Sequence, residues 1–264
     1  MSVLAIFGSD SDKNVFQPLM ELLKQKKIKA RLEICSAHRA PERLEKLLKE
    51  SRESLVIVGA GLSAALPGFV ASHSEKLVIG LPVKSNYSGF DALLSIHQMP
   101  KGFSLLAAGV ECIEEAVNYA EEILKGRKKI ILVKPNDFPG AAKRFEECKE
   151  KLSELKLPFS VQENDSYQDS EAVFIDFIDL STVGSVDPEK QLVIYVPVKE
   201  DSKETDAIKL LLLTRNGLWV GLGRSENAAL CAAKILAPKK EKEKKGKKLL
   251  KKVSSKKAAI HKIL

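Results

Sequence analysis

The chain has 264 residues, 44% of them hydrophobic and 30% charged, which suits a soluble globular protein of one large or two ordinary domains. Four cysteines, Cys35, Cys112, Cys148 and Cys231, show no short pair spacing; this excludes a zinc-finger or disulfide framework and predicts a reducing, cytoplasmic setting. The net charge of +8 belongs to one end: residues 238–264 hold twelve lysines and two glutamates, leaving −2 on the rest.

Val3-Leu4-Ala5-Ile6-Phe7 reads as a short apolar strand, stopped too soon by Gly8 to act as a secretory leader. Residues 8–12 form a turn. An amphipathic helix follows over 14–27, with Val15, Leu19, Leu22 and Leu23 on one face. Residues 30–35 form a second strand and 36–41 a turn, because Pro41 biases Ala40 away from helix. A helix over 42–51 carries Leu44, Leu47 and Leu48. Residues 55–58 form the third strand, 66–72 a helix and 77–81 the fourth strand. A short helix over 91–96, a fifth strand within 103–110 and a helix over 114–124 complete the series. The uncharged stretch 55–71 is broken at Gly59, Gly61 and Pro67-Gly68, so it is a strand and loop and not a membrane span. Strands alternating with helices predict a parallel sheet with right-handed crossovers.

The pattern then recurs. Leu77-Val78-Ile79-Gly80-Leu81-Pro82-Val83-Lys84 is matched by Leu192-Val193-Ile194-Tyr195-Val196-Pro197-Val198-Lys199. At the same spacing Asp91-Ala92 meets Asp206-Ala207 and Gly102 meets Gly217. A strand over 130–133, a helix over 141–155 and a strand over 173–178 precede this second match. The expectation is a tandem duplication, with copies at 1–126 and 127–237 and a Lys-rich tail at 238–264.

Chemistry concentrates in the first copy. Ser36-Ala37-His38-Arg39-Ala40-Pro41 places a hydroxyl, an imidazole and a guanidinium in one strand-to-helix turn. In an open α/β sheet such turns lie at the carboxyl ends of the strands, where ligands bind. The Arg and the helix N-terminus favour an anion such as phosphate, and the His suits proton transfer. Gly8-Ser9-Asp10-Ser11-Asp12 offers close backbone approach, two hydroxyls for phosphate and a carboxylate for ribose; Ser11 or Asp12 also reads as a plain helix cap. Gly59-Ala60-Gly61 would let a flat ring lie against backbone or would simply turn the chain. His97-Gln98-Met99-Pro100 reads as a polar loop over the pocket, and His73 as a surface helix residue.

In order, these motifs, with Leu66-Pro67-Gly68 and Leu93-Leu94-Ser95-Ile96-His97-Gln98-Met99-Pro100, resemble the PurE family over nearly all of residues 1–126. The resemblance implies a flavodoxin-like three-layer α/β sandwich and formation of 4-carboxy-5-aminoimidazole ribonucleotide in purine synthesis. It implies His38 as the proton shuttle, with Ser9, Asp12, Ser36 and Arg39 holding phosphate and ribose. Gly8, Ser11, Ala37, Gly59, Ala60, Gly61, Gln98, Met99 and Pro100 complete the expected substrate site. No metal or organic cofactor is implied.

Two departures bear on the carboxyl source. Many bacterial mutases of the family carry Ala-Ala-His-Leu-Pro-Gly where this chain has Ala64-Ala65-Leu66-Pro67-Gly68, so Ala65 stands in the His place. Carboxylases that take carbon dioxide directly carry Gly-Arg-Ser-Asn where this chain has Gly61-Leu62-Ser63-Ala64. The Gln-Met-Pro and Leu-Pro-Gly motifs favour the mutase; direct carboxylation and a non-catalytic nucleotide-binding scaffold are the alternatives. The second copy has Lys134-Pro135-Asn136-Asp137, Glu163-Asn164-Asp165-Ser166 and Phe177-Ile178-Asp179 at the three site positions, so it reads as a scaffold that lost catalysis. Its Asn227-Ala228-Ala229-Leu230 nevertheless keeps the family's terminal-helix pattern better than Glu115-Ala116-Val117-Asn118 does. Because single-copy members form octamers, four fused chains are expected to assemble as a pseudo-octamer. The tail is expected to be a solvated extension, with RNA binding the minority reading.

Overall fold

In the computed structural model the described residues are 1–62, 64–163, 166–181 and 191–236. The Lys-rich tail, Ser63, Asn164 and Asp165 lie outside them. Among the described residues ten strands form one sheet. The first five are β1 (Ser2–Phe7), β2 (Lys29–Ile34), β3 (Leu55–Ala60), β4 (Leu77–Pro82) and β5 (Leu105–Ala107). The second five are β6 (Lys129–Val133), β7 (Ser160–Gln162), β8 (Ala172–Asp179), β9 (Val193–Val198) and β10 (Leu218–Trp219). Across the sheet the order is β2-β1-β3-β4-β5-β10-β9-β8-β6-β7. Every neighbouring pair is parallel except β5 and β10, which meet antiparallel at Ala107 and Trp219.

The halves are therefore not two separate sandwiches, as the sequence suggested, but one sheet joined edge to edge. The cause is local: β5 is three residues long where the apolar pattern promised up to eight, and its free edge is closed by β10. Pairing removes two exposed edges that would otherwise invite association.

Helices cover both faces. On one lie α1 (Lys13–Gln25), α5 (Ile113–Lys125), α6 (Ala141–Glu154) and α8 (Ser225–Ile235). Val15, Leu19 and Leu23 of α1 recur every four residues and are buried, which is why this segment folds as a helix against the sheet. The opposite face of the first half carries α2 (Pro41–Glu50), α3 (Ala65–His73) and α4 (Phe90–His97). On the second half that face carries α7 (Glu204–Leu213), where Leu210 and Leu213 pack in one cluster with Tyr195 and Trp219, whose rings stack 4.8 Å apart. All four cysteines are unpaired. Among the described residues no helix is long and apolar enough to cross a membrane.

Candidate active site

Parallel strands share one carboxyl edge, and the register fixes which turns meet there. Phe7 is level with Ile34 of β2 and with Gly59 of β3, and Ala60 is level with Pro82 of β4. The turns that follow β2, β1, β3 and β4 therefore stand side by side in that order. The reversal of strand order between β1 and β3 opens the crevice where an open α/β sheet takes its ligand.

Two of these turns carry the candidate chemistry. Ser9 accepts from the Ser11 backbone N–H at 3.2 Å and caps the short 3-10 turn of Asp10–Asp12. Ser11 Oγ donates to Asp12 Oδ1 at 3.3 Å. Burial pushes the Asp12 carboxyl above its ordinary value, and the Ser11 hydroxyl offsets part of that shift. Helix α1 then begins with Asp12 at its cap position, but the carboxyl makes no capping hydrogen bond. In the second turn Ser36 Oγ accepts from the Arg39 N–H at 3.3 Å, and Ser36 O accepts from the Ala40 N–H at 3.0 Å. Pro41 opens α2 at its first position, where a missing N–H costs nothing. Arg39 ties the two turns together: its Nη2 donates to Gly8 O at 3.3 Å. His38 and Arg39 are exposed, while Ser36 and Ala37 are half-buried. The result is an open cradle of three hydroxyls, one guanidinium and two helix starts, with an imidazole at its rim.

The third turn differs from expectation. Gly59 lies inside β3, not after it, and a methyl group there would come within 2.0 Å of the Phe7 ring. Its missing side chain makes room for Phe7 and not for a substrate ring, and Ala60 is buried as well. Of the three, Gly61 alone reaches the rim, 3.5 Å from Ser85 Cβ measured from an added Cβ.

Gln98, Met99 and Pro100 are not brought to this edge at all. They connect α4 to β5, so they lie where strands begin, at the opposite end of the first half. His97 is no loop residue: it ends α4, is 1% exposed, and neither ring nitrogen has a partner among the described residues. Burial lowers it from 6.5 to about 4. Met99 is also buried, and a Cβ at Gly68 of α3 would lie 3.3 Å from its sulfur. His73, as expected, closes α3 at the surface, stacked on Phe69.

The turn after β4 borders the same rim. Ser85 Oγ donates to Asp91 Oδ1 at 3.3 Å, and the Lys84 N–H donates to Glu111 Oε1 at 3.2 Å. Tyr87, Ser88 and Gly89 are successive left-handed residues, and Tyr87 is exposed. The Ser88-Gly89 pair was the available signal for a tight reversal here.

A family model described as AIR carboxylase matches residues 2–138, running past β5 and α5 and through β6. The N5-carboxyaminoimidazole ribonucleotide mutase of Methanocaldococcus jannaschii is 40% identical over 122 residues, 46% of this chain and 78% of the relative. The Thermotoga maritima enzyme of the same name is 38% identical over 151 residues, 56% of this chain and 82% of the relative. The crystal structure of Treponema denticola PurE covers 58% of this chain and 92% of its own, with 26% identity and a TM-score of 0.43. With the AIR carboxylase model matching over half its length, and with the Gly8 and Ser36 turns side by side, the chain belongs to the AIR carboxylase family.

Proposed function

We infer that the chain converts N5-carboxyaminoimidazole ribonucleotide to 4-carboxy-5-aminoimidazole ribonucleotide in purine biosynthesis. One observation carries this reading. The Gly8–Asp12 turn and the Ser-Ala-His-Arg turn are intact and adjacent in the half that is about 40% identical to relatives named as mutases. Arg39, Ser9 and Ser36 hold the phosphate, and Asp12 accepts from ribose hydroxyls. The exposed His38 imidazolium gives its proton to the exocyclic nitrogen as the nitrogen–carboxyl bond breaks. Carbon dioxide then joins ring carbon 4, and the same imidazole takes the proton that carbon 4 releases, so the His ends as it began. Carbon dioxide has to be kept in place between the two bond changes.

The second half is proposed to be a copy of the first that has lost this chemistry. Its strands follow the same order, β7-β6-β8-β9-β10 against β2-β1-β3-β4-β5. The helices before β2 and β7 both end through a left-handed lysine, Lys27 and Lys156, each at φ 58°. The Glu111 N–H bonds Pro82 O at 2.9 Å, and the Gly223 N–H bonds Pro197 O at 2.8 Å, again in left-handed conformation. On this reading the boundary falls near 126, and four chains assemble with the places of eight single copies. The 98–102 loop then serves the site of another chain, which accounts for its distance from its own 8–12 turn.

The test is an assay of purified chain with N5-carboxyaminoimidazole ribonucleotide, and with aminoimidazole ribonucleotide plus bicarbonate. Turnover of the first without added bicarbonate supports the mutase. Turnover of the second alone would make it a direct carboxylase, a reading kept open by Ala65, which stands where many bacterial mutases have His. No turnover of either would leave a nucleotide-binding scaffold.

A further inference from the structure

The second half holds the 98–103 segment of the first by its backbone. Asn227 of α8 is 1% exposed. Its Nδ2 donates to Pro100 O at 2.8 Å, and its Oδ1 accepts from the N–H groups of Gly102 at 2.8 Å and Phe103 at 3.2 Å. One turn earlier Arg224 Nε donates to Met99 O at 3.1 Å. Lys101 pairs with Glu226 at 2.9 Å. Where β10 ends, Gly221 lets the chains touch: a Cβ there would come within 2.5 Å of His97 O. The side chains of Gln98, Pro100 and Lys101 are left exposed.

The matching contact on the other side of the β5–β10 junction is thinner. Glu115 stands on α5 where Asn227 stands on α8, and its Oε1 accepts a single bond, from the Gly217 N–H at 3.0 Å. Burying a primary amide costs free energy unless its donors and acceptors are met, and loop backbone meets those of Asn227. The residues after it, Ala228, Ala229, Leu230, Cys231 and Ala232, are all apolar and buried, so sheet packing asks for no amide here.

We propose that Asn227 and Arg224 are positioning residues for catalysis, fixing the loop that carries Gln98, Met99 and Pro100 so that it closes a substrate pocket. The proposal rests on the functional reading above, in which that loop meets substrate. It gives the second half a task that needs no catalytic residues of its own. It also explains why the terminal-helix Asn persists there while the first half has Glu115: the 214–217 loop held by Glu115 lacks the Gln-Met-Pro motif.

The test uses the full chain with Asn227→Ala, Arg224→Met and Asn227→Asp, the last retaining an oxygen for the Gly102 and Phe103 N–H groups. Steady-state kinetics are read together with the share of N5-carboxyaminoimidazole ribonucleotide lost as aminoimidazole ribonucleotide and carbon dioxide, corrected for spontaneous loss. In that leak the nitrogen–carboxyl bond breaks, the nitrogen keeps the proton it receives and carbon dioxide escapes. Loss of the loop's anchors should lower kcat about tenfold with KM changed less than about threefold, and should raise the leaked share. Asn227→Asp should recover part of both. A purely structural role would lower the melting temperature without changing the leak per turnover. If Asn227→Ala fails to fold, Arg224→Met decides, since it keeps the side-chain stem. Wild-type kcat and leak in folded Arg224→Met and Asn227→Ala would overturn the proposal while leaving the mutase reading intact. A wild-type chain inert toward the substrate would overturn both, and activity unchanged in Gln98→Ala and Met99→Ala would remove the loop from the site.

Discussion

His97 makes the stability of this fold depend on pH in a calculable way. Its ring is buried at the end of α4, both nitrogens lack partners among the described residues, and burial holds its pKa near 4 against 6.5 in an exposed chain. Between those values the unfolded chain binds a proton that the native chain does not, so stability falls as pH drops from 6.5 towards 4. The contribution is whole above 6.5. Lowering the group from 6.5 to about 4 corresponds to about 3 kcal/mol over the full window. Replacement by Leu removes the titration and the unpartnered nitrogens together, and leaves the backbone contact with Gly221 untouched. Urea unfolding followed by the single tryptophan, Trp219, which sits buried in β10 beside β5, reports on this junction. Between pH 7.5 and pH 4.5 the wild type should lose about 2–3 kcal/mol more than His97→Leu. Parallel pH profiles for the two proteins would refute the assignment of an uncharged buried imidazole.

Gly59→Ala should destabilise the chain by about 1–3 kcal/mol, because its methyl would meet the Phe7 ring at 2.0 Å in a packed core; a thermal melt unchanged from wild type would show that the ring moves freely aside. Arg39→Ala should raise KM by roughly tenfold or more, the loss of a charge-assisted phosphate contact of about 1.5–3 kcal/mol, with a smaller change in kcat; titration of the nucleotide product checks this, and unchanged affinity would remove Arg39 from the phosphate site.

Much of the first half was legible because each element announces itself locally. Pro41 at a helix start, the four-residue recurrence of Val15, Leu19 and Leu23, and the fully apolar β3 and β4 all speak through neighbours in sequence. The Gly8 and Ser36 turns meet because β1 and β2 are adjacent, an arrangement that the βαβ pattern favours. What was missed depends on distant partners. Nothing near Leu218 and Trp219 signals that two residues will close the edge of β5. Gly59 reads as a turn glycine until Phe7 is seen to fill its place. His97-Gln98 reads as polar loop, yet the His ends buried on α4 and the second half takes hold of the backbone beyond it.

The most direct test of the account is the conversion of N5-carboxyaminoimidazole ribonucleotide by the purified wild-type chain and by His38→Ala, with nucleotide binding measured on both. The account predicts turnover without added bicarbonate in the wild type. It predicts a loss of at least about a hundredfold in His38→Ala, the scale of a missing general acid–base group, with binding largely kept. Near-normal turnover in His38→Ala would contradict it.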